Sequence, residues 1–104
     1  MDQLRDVSLD DADLMREIVA ALIDDTARQL EPLTAAIRGR NGPETVRLAH
    51  YSKGACANVG AKPAAELLRE IELTAKAGDF AACTQSLASL ADEVERLRTA
   101  AATL

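Results

Sequence analysis

Phe80, Cys83, Leu87, Leu90, Val94, Leu97, Ala101 and Leu104 follow one another in alternating steps of three and four. That spacing lays the apolar side chains along one face of a helix, and such a stripe must be covered. Its length, about three and a half heptads, sits near the lower limit for a free-standing coiled coil. The chain has its own candidates for the covering surface. Leu14, Ile18, Leu22 and Ile23, then Leu30, Leu33 and Ile37, recur at helical spacing, as do Ala64, Leu67, Leu68, Ile71 and Ala75. Core packing within one chain therefore assigns the fourth stripe better than a dimer seam does.

Turn signals divide these patterns. Gly39-Arg40-Asn41-Gly42-Pro43 reads as a turn, with Gly39 after a helix end and Pro43 in the next first turn. Gly60 and Pro63 bracket a second break, and Gly78 followed by Asp79 ends one helix and caps another. The expectation is an all-α, antiparallel up-down-up-down four-helix bundle. Its helices cover approximately 10–38, 43–60, 63–77 and 79–102, after a short lead-in at 1–8. Ser8 and Asp11 offer a capped start to the first helix. Pro32 removes one backbone hydrogen bond inside that helix, which predicts a bend there or a break into two. In the third helix Glu66, Arg69, Glu70, Glu72 and Lys76 read mostly as the solvent side, with Glu72 and Lys76 an i,i+4 pair. At 104 residues the chain is long enough for one core and too short for two, so 1–104 reads as a single domain.

Several function classes drop out. A net charge of −5 argues against a general nucleic-acid binder, which needs a basic face. No apolar run approaches the ~20 residues of a membrane span, and the N-terminus lacks the regions of a signal peptide. A cytoplasmic location is the expectation. Cys56 and Cys83 fall at apolar positions of separate helices and read as buried free thiols rather than a disulfide. With one histidine in the chain, no Cys/His cluster has the spacing of a zinc site, and no metal role is assigned. There is no phosphate loop and no glycine-rich nucleotide lid.

The remaining chemistry gathers between Arg47 and Ala61. On a helical wheel Val46, His50, Lys53, Gly54, Ala57 and Ala61 share one side, with Arg47 at its margin. Leu48, Ser52, Ala55 and Val59 lie opposite, with Cys56 and Ala49 toward one flank. The second set reads as the buried stripe, so His50 faces outward. Gly inside a helix costs roughly 1 kcal/mol relative to Ala. Gly54, four residues beyond His50, makes sense where another molecule approaches the imidazole. A histidine side chain titrates near ~6.5, so a neutral nucleophilic form is available at neutral pH. Lys53 beside it can stabilise an incoming phosphoryl group. The competing reading is structural: Gly54, Ala57 and Ala61 could instead serve close helix packing, with His50 buried among them.

His50, Lys53, Gly54, Ala55, Asn58, Gly60 and Ala61 resemble the signature of histidine-containing phosphotransfer (HPt) domains. The resemblance extends through the four-helix pattern to nearly the whole chain. It implies a phosphorelay intermediate: His50 accepts a phosphoryl group from a receiver-domain aspartate and passes it to another. Lys53 would be the phosphate-stabilising cation, and Gly54 the steric clearance for the partner. Attack through the ε nitrogen is implied by the family. Such a protein is a phosphoryl carrier rather than an enzyme. It needs no cofactor of its own, since magnesium and the catalytic groups reside in the partner. The implied partners are response-regulator receiver domains and a hybrid or sensor histidine kinase. Val46, Arg47, Ala57 and Ala61 would form the docking surface, together with part of the first helix. Asn58 and Gly60 match the motif as structural residues. Glu72 falls at a frequently acidic family position and receives no catalytic role. Members often carry Phe in the middle of the first helix, where this chain has Leu22 and Ile23.

Two further functional readings share this fold. One is the phospho-accepting domain of a histidine kinase, charged from ATP by a separate catalytic domain. The other is a binding module that holds receivers without transfer, for which loss of the histidine would be expected. The dimerising domain of a sensor kinase fits less well. Its motif has an acidic residue straight after the histidine and a nearby proline, whereas here Tyr51 and Ser52 follow and Pro63 is distant. Because every stripe can be buried within one chain, a monomer is expected.

Overall fold

A computed structural model describes the backbone of residues 2–102 and the side chains of residues 13–101. Four helices make up the architecture: α1 (Asp2–Arg38), α2 (Gly42–Asn58), α3 (Lys62–Lys76) and α4 (Phe80–Ala102). Three-residue connections at 39–41, 59–61 and 77–79 leave room only for reversal, so successive helices run antiparallel. Each helix packs against its sequence neighbours, and α4 closes the bundle against α1.

Leu33, Leu68, Ile71, Leu90 and Val94 are fully buried at the centre. Ala49, Ala64 and Cys83 fill the narrower gaps. The expected stripes of α3 and α4 thus face the core, and Phe80, Leu87 and Leu97 pack at its margin. Leu104 lies outside the described residues. Both cysteines are buried and free.

Local chemistry explains the helix ends. The Asn41 side chain accepts the Glu44 backbone N–H at 3.2 Å, capping α2. Pro43 and Pro63 occupy the first turns of α2 and α3. Asp79 Oδ1 accepts the Ala82 N–H at 3.1 Å, the expected cap of α4. At the end of α1 the left-handed residue is Arg40, with φ of 52°, rather than Gly39. Gly39 instead continues the helix ladder, its N–H bonded to the Ala35 carbonyl at 2.9 Å.

The first helix differs most from its sequence reading. Its backbone is helical from Asp2, so residues 2–8 of the expected lead-in at 1–8 are part of α1 and no helix starts at Ser8. The side chains of that proposed cap lie outside the described residues. Pro32 sits within an unbroken α1, so the divided alternative is excluded. At 1.5 Å per residue the 37-residue α1 is about 55 Å long, which matches the 56 Å long axis of the molecule. The 17 residues of α2 and 15 of α3 cover less than half of it. Leu14 and Ile18, expected in the core, are therefore exposed together with Met15, while Ile23 is the first described residue of α1 to be buried.

Candidate functional site

The buried side of α2 is formed by Thr45, Leu48, Ala49, Ser52 and Cys56. Ala55 and Val59, placed opposite His50 by the wheel, are only half-buried, so the stripe is rotated toward Ala49 and Cys56. The consequence for His50 is unchanged. Its side chain is 69% exposed, which removes the reading in which it packs inside the bundle.

Gly54 lies in the same exposed surface. A Cβ built there would meet no atom within 4 Å. No described residue packs against the Cβ position of Gly54, so close helix packing does not account for it. The space above it is open to whatever approaches His50.

Across the groove, α3 supplies a group to which no role was assigned. Glu72 is buried, with 8% of its surface accessible, and its carboxylate reaches three groups. Oε1 accepts from Lys53 Nζ at 2.9 Å, and Oε2 lies 3.3 Å from His50 Nδ1. Oε2 is also 3.5 Å from Lys76 Nζ, the i,i+4 partner expected on α3. The hydrogen bond from Lys53 is the main cause that holds the Glu72 carboxyl below the usual carboxylate range. Burial pushes the other way, and the charge of Lys53 and the contact with His50 add to the lowering.

That carboxylate decides what the imidazole can do. An ionised carboxylate only accepts hydrogen bonds, so the contact at Nδ1 calls for a proton on that nitrogen. In a neutral ring the lone pair is then at Nε2, the nitrogen remote from Glu72. The charges also favour an anion at this place. Glu72 contributes one negative charge, Lys53 and Lys76 two positive ones, and a neutral His50 none.

Glu72 was assigned to the solvent side, yet Ala64, Leu68, Glu72 and Ala75 lie on one buried face with Ile71. An acidic residue inside an apolar stripe demands a buried partner, and that was the available signal.

The four residues expected to form the docking surface do not share one exposed face. Arg47 is exposed and bonds Glu44 through Nε at 2.7 Å and Nη2 at 2.9 Å. Ala57 is exposed, and Val46 is half-buried against the core. Ala61 is 7% exposed and belongs to the core. Because α2 ends at Asn58, Ala61 does not continue the His50 face; it cannot form an open floor. Tyr51, on the α1 side of His50, was not singled out. It is exposed, and its hydroxyl donates to Asp25 Oδ2 on α1 at 3.2 Å.

Among the described residues no group of three His, Cys, Asp or Glu is placed to hold a metal ion. No helix among them is long and apolar enough to cross a membrane. The family described as Hpt domain matches residues 17–100, which span all of α2 and α3 and most of α1 and α4. No curated protein and no solved structure gave a significant match.

Proposed function

The chain belongs to the Hpt domain family, and on that footing we propose that His50 carries a phosphoryl group between receiver domains. Membership implies histidine phosphotransfer in phosphorelays; the acceptor residue, the partners and the direction are our reading. The observation that supports it most is the pairing of an exposed imidazole with a buried carboxylate on its Nδ1.

In the forward step the Nε2 lone pair attacks the phosphorus of a receiver's aspartyl phosphate. An N–P bond forms at Nε2, the P–O bond to the aspartate breaks, and that carboxylate leaves with the bonding electrons. The Nδ1 proton stays on the ring, where Glu72 Oε2 faces it and stabilises the positive charge the ring gains. Lys53 shares the Glu72 carboxylate with the ring and is the cation that would help neutralise the phosphoryl oxygens, with Lys76, one turn beyond Glu72 on α3, at the same carboxylate. Return of the group to a second aspartate reverses the same steps. The chain acts as a carrier, and the partner supplies metal and acid–base groups. The space above Gly54 admits the partner's loops.

The test is phosphotransfer from receiver domains charged with labelled acetyl phosphate, comparing the native chain with His50→Gln. Acid-labile, alkali-stable label on the native chain alone supports the carrier. A folded native chain that binds receivers but never takes label from them or from an ATP-charged kinase would instead be a binding module.

A further inference from the structure

The chain contains one Tyr, one Phe and no Trp. Phe80 is half-buried against the core, while Tyr51 is 57% exposed and adjoins the phosphoryl-accepting His50. Its internal role is small. A solvent-exposed hydrogen bond between a phenol and a carboxylate contributes little to stability. What the bond to Asp25 Oδ2 does offer is orientation, because it spans from α2 to α1 and favours one placement of the ring. An aromatic ring fixed before binding loses little entropy on being covered, and Tyr is among the residue types that dominate binding energy at interfaces.

Geometry makes covering unavoidable. A receiver domain that brings its phosphorus to Nε2 must bury the α2 surface around His50. A standard partner footprint of about 800 Å² reaches well past one residue on either side. The two flanks differ in character. Toward α3 lies the carboxylate shared by Lys53, Lys76 and His50, a charged surface. Toward α1, Tyr51 borders a shallow open groove of about 360 Å³ whose other walls include Gln29, Pro32, Arg47 and Leu48. That flank offers an aromatic anchor and a recess beside it. Glu44 and Arg47 satisfy each other at the groove's edge and leave little unpaired charge to bury there.

We propose that Tyr51, held in place by Asp25, is the anchor that a phosphorylated receiver domain covers when it docks, and that this pair helps set which receivers the chain accepts. The inference rests on the carrier reading above. It makes Tyr51 a specificity residue and Asp25 its positioning partner, neither touching the transferred group.

The experiment runs two reactions side by side on the native chain, Tyr51→Ala, Tyr51→Phe and Asp25→Ala, with His50→Gln as blank. The first is transfer from a panel of isolated receiver domains charged with acetyl phosphate. The second is direct labelling of His50 by phosphoramidate, a donor too small to need a docking surface. Tyr51→Ala is expected to raise the half-saturating concentration of an accepted receiver about tenfold or more. Its saturating rate and its labelling by phosphoramidate should stay near native. Tyr51→Phe keeps the ring but, like Asp25→Ala, loses the bond that orients it, so both should lie between the native chain and Tyr51→Ala. An unchanged half-saturating concentration in Tyr51→Ala for every accepted receiver overturns the proposal. Loss of phosphoramidate labelling in that variant also overturns it, since Tyr51 would then act on His50 itself. If phosphoramidate labels the native chain and no receiver does, the carrier reading fails and this inference falls with it.

Discussion

Glu72 Oε2 on α3 lies 3.3 Å from His50 Nδ1 on α2, so the tautomer of an exposed imidazole is governed by a buried carboxylate from another helix. Glu72 acts through His50 and is a positioning residue. Glu72→Gln leaves an amide that can donate or accept, so neither tautomer is favoured by design. Transfer from a charged receiver should fall roughly 10- to 100-fold, the scale of a misaligned reacting group. Nitrogen NMR of the ring provides a readout that loss of packing would not mimic: the native chain should show the proton on Nδ1, and the variant should show a mixture. A native-like tautomer in Glu72→Gln would remove the positioning role.

The same carboxylate makes stability depend on pH. Glu72 is held below its ordinary value of 4.5, chiefly by the hydrogen bond from Lys53. A group depressed in the folded state binds its proton more readily when unfolded. Its contribution is therefore complete above about 4.5 and is lost as pH falls through the lower folded value. The gap in urea midpoint between the native chain and Glu72→Gln should be present at neutral pH and shrink as the solution is acidified below about 4.5. A gap that widens in acid would reverse the sign assigned to Glu72.

Gly54 separates stability from function. A Cβ there meets nothing, and Ala is a better helix former by roughly 1 kcal/mol. Gly54→Ala should raise the melting temperature by about 4–8 °C. Gly54→Gln, which projects a longer side chain over the same surface, should fold normally and accept label from receivers at least about 10-fold more slowly, on the scale of one misplaced contact. Undiminished transfer in Gly54→Gln would show that no partner uses the space.

Much of this was legible in spacing alone. The steps of three and four in α4 and the Ala64–Ala75 stripe of α3 identify helices and their buried sides, because period and packing coincide there. His50 reads as exposed because its own helix has a clear apolar side. The relations that escaped are tertiary. Glu72 pairs with Lys53 and His50, which are 19 and 22 residues away in sequence, and only the α2–α3 groove joins them. Leu14 and Ile18 continue the pattern of α1, but their exposure is decided by the lengths of α2 and α3. Ala61 joins the core because α2 stops at Asn58, a matter of where a helix ends rather than of its period.

Lys53 has two possible duties, and one substitution distinguishes them. In the structure its ammonium is bound to Glu72 Oε1 at 2.9 Å, with its side chain 30% exposed. As a counter-ion alone, it could be replaced by any donor that satisfies the carboxylate, since Lys76 remains within 3.5 Å to neutralise the charge. As a phosphate-stabilising cation it must be positive. Lys53→Gln keeps a donor and removes the charge; Lys53→Arg keeps both. Loss of one preorganised group facing a transferring phosphoryl typically costs 10²- to 10³-fold, and the remaining Lys76 should soften this to roughly 10- to 100-fold for Lys53→Gln. Lys53→Arg should retain most of the native rate. Receiver binding, measured without transfer, should change little in either variant, because the cation acts on the phosphoryl group rather than on the docked surface. Native transfer by Lys53→Gln would leave Lys53 as no more than the partner of Glu72 and shift the cationic role to Lys76.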